Sequence, residues 1–376
     1  MPSGMRLLIS LTDQSFYTTK SPGIFNVSLG LARAFLRRSG VAELHLLGNA
    51  EWREALGELP PHAVMHGAER PVPSGWRRVM WDQAGAARAI AKIRPDWALF
   101  PKGFPPLRPL PAPVKLACYV HDIIWEYYDN LTPGEGNRSG TPFPLLQKLY
   151  FRRLALHALR HADLVLTSTQ FNRDRFLARE PRARVAPVGI GFSPINERAA
   201  GGGKDLLLFV SPFPHKLTRQ AVAWLARWLD TPEAEGVRVH AVGRLPDDLQ
   251  GTLPASRWVE HGRMKEEELD DLKRFQCRAA LYFSAYEGYG MPPVECLHMG
   301  LSCLASDIPP IRENVPERFL FPNNSYDIFA QKLRNVLTRP DTGDVPPFPS
   351  WDDVAERCLR AMRTPEQASA FRNIPL

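Results

Sequence analysis

The chain has 376 residues, of which 44% are hydrophobic and 23% charged, and its formal net charge at pH 7 is +7. This is the composition of a globular protein long enough to form two domains with buried cores. It contains no apolar run of about 18 residues, so no transmembrane helix is predicted. Its five cysteines are scattered without C-x-x-C spacing. This pattern predicts neither a disulfide framework nor a structural zinc site, and it favours a reduced, cytoplasmic compartment.

The positive charge is concentrated in the first half of the chain. Residues 1–200 carry an excess of ten basic residues, whereas residues 201–376 carry an excess of three acidic ones. Such a basic half attracts an anionic membrane surface or an anionic substrate. The basic residues form no dense cluster and no nucleic-acid-binding motif accompanies them, so we expect no nucleic-acid partner.

The first half alternates short apolar runs with helical segments. The predicted strands are Met5–Leu11, Val41–Leu47, Trp97–Phe100, Val114–Val120, Asp163–Thr167 and Val185–Val188. Amphipathic helices are predicted at Val27–Arg38, which Gly23 and the residues after it open, and at Leu145–Arg160. Alternation of this kind predicts an α/β domain with a doubly wound sheet over residues 1–190.

A glycine-rich stretch at residues 191–204 predicts a linker, after which a second alternating series begins. Its predicted strands are Asp205–Val210, Val237–Val242, Trp258–Val259, Leu281–Ser284 and Ser302–Ser306. A helix is predicted at Thr218–Asp230. We therefore expect a second domain at 205–350, followed by a tail at 351–376 whose helix begins after an N-cap at Ser350.

The segment from Glu287 to Glu295 combines two carboxylates with a Gly-x-Gly turn and the pair Pro292-Pro293. The prolines predict extended backbone followed by a helix that starts at Pro293, with Glu295 in its first turn. Backbone N–H groups at a glycine-lined helix start bind anions such as phosphate. One carboxylate on each side of an anion site suits a nucleotide-sugar, which consists of a sugar, a diphosphate and a ribose. A common turn with a helix-dipole carboxylate is the simpler alternative.

The segment Phe283–Glu295 resembles the Glu-x7-Glu signature of family 4 retaining glycosyltransferases, and Ala305–Glu313 resembles that family's Ser-Asp-x-Pro segment. The resemblance implies the GT-B fold, with two Rossmann-like domains facing across a cleft and a C-terminal helix that packs back on the N-domain. It also implies an acceptor-binding first domain, a nucleotide-sugar-binding second domain and no cofactor. Bacterial surface-glycan mannosyltransferases are the members it most resembles.

The resemblance assigns roles within the motif. Glu295 is expected to bind the ribose hydroxyls and Glu287 to lie beside the donor sugar. The backbone N–H groups of Tyr289, Gly290 and Met291 are expected to reach the sugar and the phosphates.

A second donor-binding segment lies between a predicted strand and helix. Lys216 resembles the phosphate-binding lysine of the family, whereas His215 and Leu217 stand where an arginine and an asparagine are usual. A protonated histidine can replace the arginine charge, and a neutral one clamps phosphate less strongly. Gly23 corresponds to the family's glycine-rich loop beside the diphosphate, although the loop here has one glycine.

His121 and Asp122 end a predicted strand and resemble the family's His-Asp-Leu segment. The resemblance implies that His121 contacts the donor sugar or the reacting oxygen and acts in catalysis with Glu287 and Lys216. Asp122, with Trp125 and Tyr127, is expected to shape the acceptor site. A purely structural role for these residues stays open from the sequence alone.

These features predict a retaining, metal-independent hexosyltransferase that uses a GDP-mannose-like donor, or a UDP-sugar as second choice. The expected acceptor is a glycan or a lipid-linked oligosaccharide, and the expected location is the cytoplasm or the inner face of the cytoplasmic membrane. Two alternatives stay open. One is an epimerase or phosphorylase on the same fold, and the other is a catalytically silent glycan- or partner-binding module.

Overall fold

The structure is a computed structural model that describes residues 4–15, 22–67, 69, 75–129, 145–195, 199, 203–338, 345 and 347–363. Its contacts divide the chain into two compact units. Unit 1 comprises the described residues within Met1–Ile123, Leu145–Ser193 and Pro349–Pro375, and unit 2 those within Ile124–Pro144 and Pro194–Phe348. The division differs from the predicted domains at residues 124–129, which join unit 2.

The strands in chain order are β1 Met5–Ser10, β2 Val41–Leu47, β3 Ala63–His66, β4 Trp97–Phe100, β5 Lys115–Tyr119, β6 Leu164–Thr167, β7 Val185–Pro187, β8 Asp205–Val210, β9 Val239–Gly243, β10 Trp258–Gly262, β11 Cys277–Tyr282, β12 Cys303–Ser306 and β13 Leu320–Phe321.

The α-helices in chain order are α1 Pro22–Leu36, α2 Ala50–Leu56, α3 Gly75–Met80, α4 Ala86–Ile93, α5 Trp125–Asp129, α6 Leu145–His161, α7 Gln170–Arg179, α8 Thr218–Leu229, α9 Glu266–Asp271, α10 Met291–His298, α11 Pro309–Arg312, α12 Tyr326–Thr338 and α13 Trp351–Arg363. Among the described helices, none combines the length and apolar character needed to span a bilayer.

Each unit contains one parallel sheet of the doubly wound type. Over the described residues the order is β3-β2-β1-β4-β5-β6-β7 in unit 1 and β10-β9-β8-β11-β12-β13 in unit 2. All neighbouring strands in both sheets are parallel. The central strands are apolar along their length because helices cover both faces. The strand order reverses beside β1 and beside β8, where sheets of this type bind ligands at the carboxyl ends of their strands.

The C-terminal helix α13 belongs to unit 1 and packs against α1. The contact depends on Gly30, because a Cβ there would lie 2.1 Å from the Trp351 ring. Ser350 caps α13, since its hydroxyl oxygen accepts the Asp353 N–H at 3.1 Å. The predicted cap is therefore confirmed, and the predicted tail beyond residue 363 lies outside the described residues.

A histidine pair with the same spacing occurs in both units. Nδ1 of His45 lies 3.1 Å from Nε2 of His66, and Nδ1 of His240 lies 2.8 Å from Nε2 of His261, with 21 positions between the partners in both cases. The first pair joins β2 to β3 in unit 1, and the second joins β9 to β10 in unit 2. In unit 2, Nε2 of His240 donates to Asp205 at 3.0 Å, so its Nδ1 accepts from the second imidazole when both rings are neutral.

Candidate active site

The carboxyl edge of the unit 2 sheet carries two of the predicted donor-binding residues, Lys216 and Glu287. Lys216 lies in a single 3-10 turn after β8, and Glu287 lies in the loop after β11. Because β8 and β11 are parallel neighbours, their carboxyl ends meet at one edge and bring the two loops together.

Hydrogen bonds from side chains and from the backbone fix these loops. Ser284 Oγ and the Ala285 N–H both donate to the His215 carbonyl, at 3.0 and 2.7 Å. The Ser284 N–H donates to Ser306 Oγ at 2.8 Å, and Asn323 Nδ2 donates to the Ser284 carbonyl at 3.0 Å. The loops after four strands are thus held by small polar residues, which keeps a site at this edge rigid.

Lys216, Glu287 and Tyr282 form a closed triangle of hydrogen bonds. The Lys216 ammonium donates to Glu287 Oε1 at 2.6 Å and to the Tyr282 hydroxyl at 2.6 Å. The same hydroxyl donates to Glu287 Oε1 at 2.7 Å. The side chains of Lys216 and Glu287 are 23% and 12% exposed, and Tyr282 is 3% exposed. Tyr282 was not predicted, because in the sequence it is one more aromatic residue in a buried strand.

The triangle keeps Glu287 ionised. Burial raises the pKa of the Glu287 carboxyl, but the charge of Lys216 and the hydrogen bond that it donates outweigh burial, so the net pKa lies below its ordinary value. Burial and the Glu287 charge raise the pKa of the Tyr282 hydroxyl well above its ordinary value. Tyr282 therefore remains a proton donor to a charged carboxylate.

His215 is neutral in this structure. Burial, together with the Lys216 charge, lowers its pKa to about 4, although Glu287 opposes the shift. Its Nδ1 lies 2.7 Å from the Tyr128 hydroxyl, and its ring stacks on Phe213 with 5.9 Å between centroids. His215 can therefore offer an N–H group to a ligand at neutral pH, but the charge of the arginine it replaces is absent.

Leu217 has a backbone conformation that is unusual for its type. Its φ of 46° and ψ of 29° are left-handed, and it is the N-cap residue of α8. Branched side chains disfavour this region, whereas asparagine enters it more readily. The asparagine that is usual here in the resembling family suits this backbone, and leucine is strained in it.

The helix after the Gly-x-Gly turn begins at Met291, two residues before the predicted start. The prolines occupy the second and third positions, where a missing N–H costs nothing because first-turn donors have no partner in the helix. Gly290 precedes the helix with φ of 91°, and a Cβ there would lie 2.8 Å from Ile311. The glycine is required, and because Pro292 and Pro293 have no N–H, an anion site here would depend on the backbone N–H groups of Met291 and of the residues before it.

Glu295 lies in the second turn of α10 rather than the predicted first turn, because the helix starts earlier. Glu295 is half-buried, and this burial raises the pKa of its carboxyl. The charges of Glu266 and Asp270 raise the pKa further, whereas the Lys273 charge lowers it in part. Lys273 is buried and donates to Asp270 at 3.2 Å. The Glu295 charge is also among the causes that raise the pKa of Tyr282, so Glu295 lies within electrostatic range of the Lys216 triangle.

The predicted acceptor residues Trp125 and Tyr127 lie on α5 in unit 2. The Tyr127 ring lies 5.8 Å from the Tyr286 ring and 6.3 Å from the His215 ring, measured between centroids. The structure thus places Tyr127 in an aromatic cluster beside the Lys216 loop.

The predicted residues Gly23, His121 and Asp122 belong to unit 1. Nε2 of His121 donates to the Pro101 carbonyl at 2.8 Å, which leaves Nδ1 as the acceptor nitrogen. Burial lowers the pKa of His121 to about 4. Gly23 is the second residue of α1, and Asp122 is half-exposed after β5.

A charged cluster in unit 1 was not predicted. Lys102 and Arg78 donate to Asp13 at 2.8 and 3.0 Å, and Arg78 lies 3.8 Å from Asp82. Burial and the Asp13 charge raise the pKa of Asp82 to about 7. The only indication of this cluster in the sequence is that Asp13 and Lys102 each closely follow an apolar strand. Among the described residues, no group of three or more His, Cys, Asp or Glu side chains is placed to hold a metal ion.

Comparison with known proteins gives a family for part of the chain. Residues 204–339 match the family model described as "Glycosyl transferases group 1". They include the Lys216 triangle, α10 and Glu295. No curated protein sequence matches the chain.

Solved structures share the fold across nearly the whole chain. HepE of Anabaena in complex with UDP and glucose is 14% identical, with a TM-score of 0.63 over 96% of this chain and 100% of that chain. Sucrose-phosphate synthase of Thermosynechococcus elongatus is 14% identical, with a TM-score of 0.63 over 97% of each chain. WaaG, a glycosyltransferase involved in lipopolysaccharide biosynthesis, is 13% identical, with a TM-score of 0.61 over 97% of this chain and 99% of that chain. The matched segment assigns residues 204–339 to the group 1 glycosyl transferases, and the fold shared over nearly the whole chain is the GT-B fold of these solved structures.

Proposed function

We propose that the chain transfers a hexosyl unit from a nucleoside-diphosphate sugar to a glycan or lipid-linked acceptor, with retention at the anomeric carbon and without a metal ion. The observation that carries the proposal is the Lys216 triangle at the carboxyl edge of the unit 2 sheet. It places a cation and an ionised carboxylate on the loops that the family resemblance assigns to the donor.

The charges suit the departure of a diphosphate. Negative charge grows on the diphosphate in the transition state, and a prepositioned ammonium and helix N–H groups stabilise it. Lys216 supplies the ammonium, and Tyr289, Gly290 and Met291, at and before the start of α10, are proposed to supply the backbone N–H groups. These groups perform the electrostatic work that a metal ion performs in other transferases. Glu287 is proposed to lie beside the sugar, where positive charge develops on the ring, and Glu295 to bind the ribose.

We propose a GDP-sugar such as GDP-mannose as first donor and a UDP-sugar as second. HepE was solved with UDP and with UDP-glucose, which makes UDP a necessary probe here. The test is calorimetry of the chain with GDP, UDP and ADP, followed by donor hydrolysis and transfer assays with the nucleotide that binds. Lys216→Met is the matched control, because it removes the ammonium while keeping a long side chain. Absence of binding to all three nucleotides would favour the catalytically silent module.

We also propose that the protein works in the cytoplasm at an anionic membrane surface. Helix α6 has no acidic residue. Its outer residues follow helical spacing and, with Leu107, line a cavity of about 460 Å³. The lining residues are Leu107, Leu149, Arg152, Arg153, Leu156, His157, Arg160 and His161. Interleaved arginines and leucines suit lipid headgroups and the acyl chains beneath them.

The membrane proposal is tested with vesicles of phosphatidylglycerol and of phosphatidylcholine. The chain is expected to bind the anionic vesicles more tightly, and salt is expected to weaken the binding. The variant Arg152→Glu/Arg153→Glu should lose this preference. The control Arg53→Glu/Arg182→Glu changes the net charge equally at exposed positions of unit 1. Equal binding to both vesicle types at low salt would refute the membrane proposal, and equal losses in both variants would refute the α6 assignment.

A further inference from the structure

The Tyr282 hydroxyl occupies a central position in the Lys216 triangle. It accepts a hydrogen bond from the Lys216 ammonium at 2.6 Å and donates one to Glu287 Oε1 at 2.7 Å. A lysine ammonium has three hydrogens. Two of them are committed, one to Tyr282 and one to Glu287, which fixes the direction of the third.

Tyr282 is itself rigidly held. It is the last residue of β11 and is almost fully buried. Its ring packs edge-on to Phe209 with 6.1 Å between centroids, and Lys216 Nζ lies 5.0 Å from the ring centroid. A strand-end hydroxyl fixed in this way is a firmer anchor than a loop carboxylate.

We propose that Tyr282 is a positioning residue for glycosyl transfer, which aims the Lys216 ammonium at the departing diphosphate and keeps Glu287 in place. The proposal rests on the proposed function, because it takes the diphosphate to be the partner of Lys216. Tyr282 does not touch the donor and acts through its two charged neighbours.

The need for a third partner follows from the flexibility of lysine. A bare pair between a four-carbon side chain and a carboxylate has many geometries of similar energy. A second fixed acceptor selects one of them, in the way that outer residues orient the ligands of a metal. The Tyr282 hydroxyl also lets Glu287 keep a charge-assisted hydrogen bond when the ammonium turns toward phosphate.

The variant Tyr282→Phe keeps the ring and removes only the hydroxyl. We expect kcat to fall about ten- to hundredfold, the scale of one lost hydrogen bond to a charged group. The donor KM should change less than about threefold, because the ammonium matters most when the diphosphate charge has grown. The affinity for UDP or GDP, which carries the fully developed charge, should fall by about tenfold or more.

The pH profile gives a readout that lost packing does not produce. The Tyr282 hydrogen bond stabilises the ionised form of Glu287, so its removal raises the pKa of that carboxyl. If ionised Glu287 is required, the acid limb of the kcat profile should move to higher pH in Tyr282→Phe. The alkaline limb serves as an internal reference.

The matched control is Tyr326→Phe, which removes a tyrosine hydroxyl from α12 of the same unit. Its ring packs on Trp224 with 6.0 Å between centroids, away from the Lys216 triangle. The melting temperatures of both variants are measured first, and both should keep the fold. Tyr326→Phe should match the wild-type chain in kcat, in nucleotide affinity and in pH profile.

The outcomes separate this proposal from the proposed function. A wild-type chain that binds neither UDP nor GDP overturns both. If the wild-type chain binds and transfers, but Tyr282→Phe has the same kcat, nucleotide affinity and acid limb, only the positioning role is wrong. A raised donor KM with unchanged kcat also overturns the proposal, because it assigns Tyr282 to ground-state binding.

Discussion

The pairing of Lys216 with Glu287 predicts a pH-dependent loss of stability in Lys216→Met. Removing one partner of a buried ion pair costs roughly 3–5 kcal/mol, because the other charge stays buried without compensation. Both side chains keep some exposure, and Glu287 retains the hydrogen bond from Tyr282. We therefore expect a loss at or just below the lower limit of that range, about 2–3 kcal/mol at pH 8.

The loss should shrink as the pH falls. In the wild-type chain the pKa of Glu287 is below its unfolded value, so its stabilisation is present above the unfolded pKa of about 4.3 and is lost as pH falls through the folded pKa. In Lys216→Met, burial without the lysine raises the pKa of Glu287, so protonation removes the penalty at mildly acidic pH. The two chains should therefore approach each other in stability from pH 8 to pH 5.

Urea unfolding followed by tryptophan fluorescence measures this, with the unit 2 transition analysed separately because two units need not unfold together. The double variant Lys216→Met/Glu287→Gln removes both charges and should recover most of the loss, to within about 1 kcal/mol of wild type. An equal loss at pH 5 and pH 8 would refute the reasoning. So would a double variant that is less stable than Lys216→Met.

Four further results are expected. Glu295→Ala should raise the donor KM about ten- to hundredfold, since ribose contacts do not change during reaction, whereas Lys216→Ala should lower kcat by about two to three orders of magnitude in steady-state assays. Activity should survive excess EDTA, and recovery on adding magnesium would contradict the metal-independent mechanism. Burial and the His240 charge lower the pKa of His261, so stability should decline as the pH falls below about 6.5, and His261→Gln should flatten that slope in urea titrations. Leu217→Asn should raise the melting temperature, because it relieves a left-handed backbone strain of roughly 1 kcal/mol; an unchanged melting temperature would contradict the strain.

The sequence predicted the two sheets because their central strands are continuous apolar runs between helical segments. Strands that are short or at an edge were missed, such as β13, whose two residues carry no periodic signal. The start of α10 was placed two residues late because the residue before a proline is usually extended. A left-handed Gly290 directly before Met291 allows the helix to begin sooner.

The site was predicted where one segment carries it and missed where distant residues meet. Lys216 and Glu287 were predicted as donor-binding residues from their own segments, through the resemblance to the family's motifs. Tyr282 acquires its role from Lys216, 66 positions earlier, and the neutrality of His215 reflects a burial to which Tyr128, 87 positions away, contributes. Local patterns contain neither distance nor burial, so these roles become visible only in three dimensions.

The position of α13 has a consequence for synthesis on the ribosome. Unit 2 lies in the sequence between two parts of unit 1, and the Phe192 N–H donates to the Pro349 carbonyl at 2.9 Å where the chain re-enters unit 1. The partners Arg37 and Asp352, which join α1 to α13, are 315 positions apart. At a synthesis rate of about 5–20 residues per second, roughly 15 to 60 seconds pass before α13 can pack on the surface of α1 around Gly30. A nascent or prematurely terminated chain therefore presents an open apolar surface to chaperones and proteases until α13 emerges.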